Sequence, residues 1–131
     1  MASTTFSGPV TSTNGFIGAV TGNVTGDVTG NVTGVTTGTV QALSGAGAVN
    51  TTTAVTSLTT TGAAEALTLA NGTAGQFKTI VHTVDGGSAV LTPTTKIGFT
   101  TITFTGVGES ATLVYTAAGW AIVALNGAVA A

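Results

Sequence analysis

Hydrophobic and polar positions follow two rhythms along this chain. From residue 18 to 38 glycine recurs at every fourth position, and Val20, Gly22, Val24, Gly26, Val28, Gly30 and Val32 share one parity while Thr21, Asn23, Thr25, Asp27, Thr29, Asn31 and Thr33 share the other. Alternate side chains of an extended backbone point to opposite faces, so the pattern predicts an extended segment with a valine and glycine face and a polar face. One valine stripe cannot close a core, and a lone extended chain leaves its amides without protein partners. Identical copies can supply both. The expectation is an intertwined, β-helix-like stalk in which Val20, Val24, Val28 and Val32 form a trimer interface and each glycine permits a bend or close backbone approach. Three other readings fit less well. The glycine spacing of packed membrane helices belongs in a long apolar run, which is absent. A β-solenoid repeat is longer than four residues. A flexible linker has no use for regular valines.

From residue 49 the rhythm becomes that of short strands between turn signals, expected near residues 54–60, 66–69, 77–84, 89–91, 100–105, 112–115 and 120–125. Turns are expected at Asn71-Gly72, Asp85-Gly86-Gly87, Gly106-Val107-Gly108 and Ala118-Gly119. This spacing predicts an all-β head, a small antiparallel sandwich or barrel. Its expected core is Phe77, Ile102, Phe104, Leu113, Tyr115, Trp120, Ile122 and Leu125. Only residues 62–67 (GAAEAL) offer a turn of helix. Residues 41–48 (QALSGAGA) read as a flexible joint of small residues, and residues 1–17 as short extended pieces broken by Pro9 and Asn14-Gly15. The expected organisation is therefore an attachment segment over residues 1–17, a stalk and joint over 18–48, and a β domain over 49–131.

Composition sharpens this picture. Two lysines, no arginine, four acidic residues and one histidine are spread over 131 residues, so threonine, glycine and alanine must make the surface. The 31 threonines suit a half-wet pleated sheet. A net charge of −2 without clustered cations argues against nucleic-acid binding. The N-terminus lacks the basic and apolar regions of a secretory signal, and the apolar end WAIVALNGAVAA is too short to span a bilayer, so no membrane partner is expected. Without cysteine, stability has to come from pairing, packing and association.

Candidate chemistry is sparse. His82 lies in FKTIVHTV without the nucleophile, carboxylate and oxyanion site of an enzyme, and with Asp85 alone it makes too few ligands for a metal, so a hydrogen-bonded strand residue is expected. Glu65 and Glu109 flank turns and read as solvated loop charges, while Lys78 and Lys96 read as exposed charges protecting an edge. Trp120 reads as core, with stacking on a sugar ring as the alternative. Four Asn-x-Thr triplets, at Asn23, Asn31, Asn50 and Asn71, read as structural asparagines in a threonine-rich chain. No cofactor and no catalytic activity are expected.

The segments FSGPVTSTNGFIG, the VTGN repeats, LTLANGTAGQFKTIV and ATLVYTAAGW together resemble virion proteins of tailed bacteriophages, especially marine ones, over nearly the whole chain. The resemblance implies a trimeric structural protein on the capsid exterior, either a decoration protein bound to the major capsid protein or a short fibre. It also implies that the segment containing Phe6, Pro9 and Phe16 holds the capsid. Missing a large tip domain and a metal-binding tip motif, the chain departs from long receptor-binding fibres, which favours head decoration. A head or tail fibre contacting host glycans is the first alternative, and a threonine-array ice-binding protein the second.

Overall fold

The computed structural model describes Ser7 and residues 32–131. The expected attachment residues Phe6, Pro9 and Phe16, and the expected interface residues Val20, Val24 and Val28, lie outside the described residues. Val35–Ala131 is one compact unit, and no helix occurs among the described residues.

Ten strands form in the order β1 (Val40–Ser44), β2 (Gly47–Val49), β3 (Val55–Thr59), β4 (Glu65–Leu69), β5 (Phe77–Val84), β6 (Ala89–Pro93), β7 (Ile102–Phe104), β8 (Ser110–Thr116), β9 (Gly119–Asn126) and β10 (Val129–Ala130). They make two five-stranded sheets, β1-β3-β5-β8-β9 and β10-β7-β6-β4-β2. Up to β6 the chain steps from one sheet to the other at every strand, and β1-β3-β5 and β2-β4-β6 pair in parallel. Only then does the chain fold back: β6-β7, β5-β8, β8-β9 and β7-β10 are antiparallel.

The sheets are thus mixed, and the expected antiparallel head is corrected on this point. Parallel neighbours cannot be joined by a tight hairpin. Here the connection is the strand that lies in the facing sheet. A Gly or Asn turn marks a reversal of direction but not whether the chain returns beside itself or crosses to the opposite layer. Residues 41–48, expected as a joint, are largely β1 and β2, held by that parallel pairing. The small residues of this stretch, which read as a linker, suit positions at the rim of a sandwich. The helical turn expected at 62–67 is a tight turn at Ala63 and Ala64 that leads directly into β4.

Alternation places Leu58, Ile80, Ala111, Leu113 and Trp120 of one sheet against Val49, Leu67, Leu69, Ala89, Leu91, Ile102 and Phe104 of the other, all buried in one core. Each buried Leu or Ile contributes about 1.5–3 kcal/mol relative to exposure, so this cluster dominates the stability of the unit. Ile102, Phe104, Leu113 and Trp120 are fully buried as expected, while Tyr115 and Ile122 pack against the core from partly exposed positions. Phe77 and Leu125 are corrections, at 59% and 37% exposure. Phe77 has the opposite parity to Ile80 and faces outward. Leu125 follows a bulge at Thr112/Leu113 and lies near the open end of edge strand β9. Val32, the one expected interface valine that is described, is 62% exposed.

Candidate functional site

The core carries polar groups at two places. At the first, Lys78 on the inner face of β5 is fully buried, which corrects its reading as an exposed edge charge. β5 is the middle strand of its sheet, and the inward parity of Lys78 between Phe77 and Thr79 leaves the ammonium no path to water. Its Nζ donates to the Thr53 carbonyl at 2.9 Å and to Thr53 Oγ1 at 2.8 Å, and reaches Asn50 Oδ1 at 3.5 Å. Burial without a carboxylate partner brings its pKa down to about 8.

Asn50 Oδ1 also accepts from the amide and hydroxyl of Thr53, at 3.0 and 2.8 Å. Beside it, Gln41 Oε1 accepts from the Asn50 amide and the Thr56 hydroxyl, both at 2.9 Å, while Gln41 Nε2 donates to the Ala48 carbonyl at 2.8 Å. This network ties β1, β2, β3 and β5 together. Asn50 Oδ1 is therefore committed to Thr53 and Lys78.

The second polar place surrounds His82, which is fully buried. Thr60 Oγ1 lies 3.0 Å from His82 Nε2, donates to the Gly87 carbonyl at 2.7 Å and accepts from the Gly86 amide at 2.9 Å. One hydroxyl proton is thus committed to Gly87, so His82 Nε2 must be the donor toward Thr60. The pair has the separation of a nucleophile and its base but the wrong proton arrangement, and His82 Nδ1 is buried with no partner to orient it. It acts as a clasp on the Asp85-Gly86-Gly87 turn. That turn needs glycine: Gly87 has φ +144°, and a side chain there would overlap the Gly62 carbonyl.

Two loops with the same lettering flank this region, Thr61-Gly-Ala-Ala-Glu65 and Thr105-Gly-Val-Gly-Glu109. In each, the threonine amide and hydroxyl both donate to the glutamate four residues on: 3.0 and 2.6 Å to Glu65, 2.6 and 2.9 Å to Glu109. The Thr61 hydroxyl above all holds the Glu65 carboxyl below the usual range, and the Thr105 amide does so for Glu109. Each glutamate is half-exposed beside its turn, and its carboxylate is tied to the turn by these bonds. The repeated Thr-Gly-x-x-Glu was visible in the sequence and is the signal that could have shown it.

The two loops differ at one informative position. The residue before glutamate is left-handed in both, Gly108 at φ +87° and Ala64 at φ +56°. A left-handed L-residue costs about 1–2 kcal/mol, partly offset by the greater freedom glycine loses on folding. Ala64→Gly is therefore expected to stabilise the protein by about 0.5–1 kcal/mol. A urea midpoint unchanged or lowered relative to wild type would contradict the equivalence of the two loops.

Trp120 is fully buried, donates Nε1–H to the Ala70 carbonyl at 2.9 Å and meets Tyr115 edge to face, with ring centroids 5.1 Å apart. It has no face to offer a sugar ring. Among the described residues no ligand-sized cavity opens, no group of three His, Cys, Asp or Glu could hold a metal ion, and no helix is long and apolar enough to cross a membrane.

What remains is surface, and its charge distribution is unusual. By parity, the outer face of the β1-β3-β5-β8-β9 sheet comprises Val40, Ala42 and Ser44; Val55, Ser57 and Thr59; Phe77, Thr79, Val81 and Thr83; and their partners on β8 and β9. It carries no charged side chain. The outer face of the second sheet is likewise uncharged and made of alanine, threonine and valine, while Glu65 has the inward parity of Leu67 and Leu69 and is held by Thr61 at the end of β4. Asp85, Lys96 and Glu109 all lie in connections between strands. No protein-family model matches this chain, and no curated protein matches it either.

Proposed function

We propose that the protein is a non-enzymatic virion structural protein, a capsid decoration protein that binds the phage head shell as a trimer. The observation that carries this reading is the union of a valine and glycine repeat that cannot complete itself with a β unit whose broad faces are free of charge. Both parts are suited to contacts between proteins and neither presents reactive groups. Three chains meet through Val20, Val24, Val28 and Val32. The segment bearing Phe6, Pro9 and Phe16 grips the major capsid protein, its sparse aromatics adding to a sheet edge or filling shallow pockets. Bridging neighbouring shell subunits raises the cost of separating them, which steadies a shell under internal pressure. The burial of Trp120 weakens the alternative of a fibre that holds host glycans on that ring.

Deletion of residues 1–17 tests the assignment. The shortened protein should sediment as the same oligomer as the full chain and fail to decorate particles lacking the native protein. Normal decoration by the deletion variant would overturn the role given to this segment, and imaging of particles with and without the protein would give its location.

A further inference from the structure

We infer that Lys78 and Asn50 form a self-modification site, in which the Lys78 amine condenses with the Asn50 side-chain amide to give an internal isopeptide bond and free ammonia. The reaction needs only residues inside the β unit and does not depend on the association proposed above.

The amine is set up as a nucleophile. Lys78 is fully buried, and its polar partners among the described residues are Thr53 and Asn50, so no carboxylate holds it as a cation. Burial favours the neutral form, with a pKa of about 8. Hydrogen bonds to the Thr53 carbonyl and hydroxyl occupy both hydrogens of a neutral amine and leave its lone pair free. The remaining neighbour is Asn50 Oδ1 at 3.5 Å, and the amide carbon is one bond from that oxygen. A near-attack contact needs reacting atoms about 3–3.5 Å apart, so little side-chain adjustment is required.

The amide is set up as the electrophile. Asn50 Oδ1 accepts from the Thr53 amide at 3.0 Å and the Thr53 hydroxyl at 2.8 Å, two donors aimed where negative charge develops on attack. Asn50 Nδ2, the leaving group, makes no hydrogen bond to the described residues, and Asn50 is only half-buried, so ammonia has a way out. The connection is pinned around the pair: Gln41 Oε1 holds the Asn50 amide at 2.9 Å, Gln76 Nε2 donates to the Thr51 carbonyl, and the Thr79 amide donates to the Ala54 carbonyl at 3.0 Å. Fixed geometry of this kind gives intramolecular reactions effective molarities of about 10⁵–10⁸ M, which an unreactive amide requires.

The step balances with ammonia as its by-product. The Lys78 lone pair forms a bond to Asn50 Cγ, and the carbonyl π pair moves onto Oδ1 under the two Thr53 donors. The proton shed by Nζ passes through the Thr53 hydroxyl, which accepts from Nζ and donates to Oδ1. As the carbonyl re-forms, the Cγ–Nδ2 bond breaks and that proton leaves with Nδ2 as ammonia. The product carries no buried charge, which removes the desolvation cost of the ammonium. It also joins residues 28 apart in a chain without cysteine, constraining the unfolded state as a disulfide does.

Mass spectrometry of the full-length protein tests this, as purified and after incubation at about pH 9, where a lysine with a pKa of about 8 is mostly neutral. The wild-type chain is expected to be lighter than its sequence by one ammonia. Trypsin acting on the unfolded chain should then cut after Lys96 and spare Lys78, and fragmentation should place the loss in a branch between Asn50 and Lys78. Lys78→Met and Asn50→Ala should keep the full mass, which guards against ammonia lost from the Asn-Gly pairs at Asn14, Asn71 and Asn126. A wild-type chain that keeps its full mass after incubation and is cut after Lys78, or an ammonia loss that both variants retain, overturns the inference. Titration of Lys78 belongs to the chain with a free amine, so the same mass measurement identifies which form a pH-dependent unfolding curve reports.

Discussion

Trp120→Ala is expected to lower the unfolding free energy by about 3–5 kcal/mol, the cost of emptying a large aromatic site in a closed core. Three separate losses combine. The ring is fully buried and lies edge to face with Tyr115, so its removal leaves a cavity that two pleated sheets cannot collapse to fill. Its Nε1–H also satisfies the carbonyl of Ala70, just past β4, from a position on β9. That hydrogen bond joins the two sheets, and losing it costs about 0.5–1.5 kcal/mol. Domains of this size are stable by about 5–15 kcal/mol in total, so the variant should sit near the edge of folding at 37 °C. Trp120→Phe separates the parts: it keeps most of the packing and loses the hydrogen bond, and should fall between wild type and Trp120→Ala. Equilibrium urea unfolding measures both. An alanine variant within about 1 kcal/mol of wild type would contradict the placement of Trp120 as a staple between sheets, given the usual range of core truncations.

Lys78 governs the second large effect, and its signature lies in pH. Burial lowers its pKa to about 8 from an ordinary value of 10.5. Below about 8 the folded and unfolded chains both hold the proton, and the cost of keeping an ammonium in the core is present in full. Between about 8 and 10.5 the unfolded chain binds more protons than the folded one, so stability rises with pH through this window and then levels off. Lys78→Met should abolish the rise. At pH 7 it should be neutral or stabilising by up to about 3 kcal/mol, since an apolar side chain of similar length removes the desolvation cost while giving up hydrogen bonds. Lys78→Ala should instead destabilise by about 2–5 kcal/mol, because the four-carbon stem also fills space. Urea midpoints at pH 7, 8, 9 and 10 for the three proteins test this. A wild-type curve that is flat or falling over that range, or a Met variant that still rises, would show that Lys78 is not held as described.

Charged positions illustrate how much can be read before folding. Glu65 and Glu109 were visible as turn residues, and the bonds they accept are local, four residues back in the chain. Lys78 was not legible in the same way. Its letters in FKTIVHTV alternate with apolar ones, and parity alone does not say which of the two faces is wet. The same ambiguity reversed Phe77: an aromatic in a strand is usually core, yet here Lys78 occupies the inner face and the ring the outer. Partners for Lys78 come from Asn50 and Thr53, 25 or more residues away, supplied by a connection that only the parallel pairing of β3 and β5 brings close.

The alternating pattern determined by itself that the described part of the chain is all-β, where most strands lie and that Ile102, Phe104, Leu113 and Trp120 are core, because side-chain period and turn chemistry act over a few residues. Composition likewise determined a surface almost without charge. Tertiary structure alone decided that the strands cross between two sheets before folding back, that a lysine and a histidine lie inside, and that Phe77 faces outward. Those outcomes depend on which strands become neighbours, and pairing between distant segments is chosen by the energy of the closed core as a whole, not by any local run of residues.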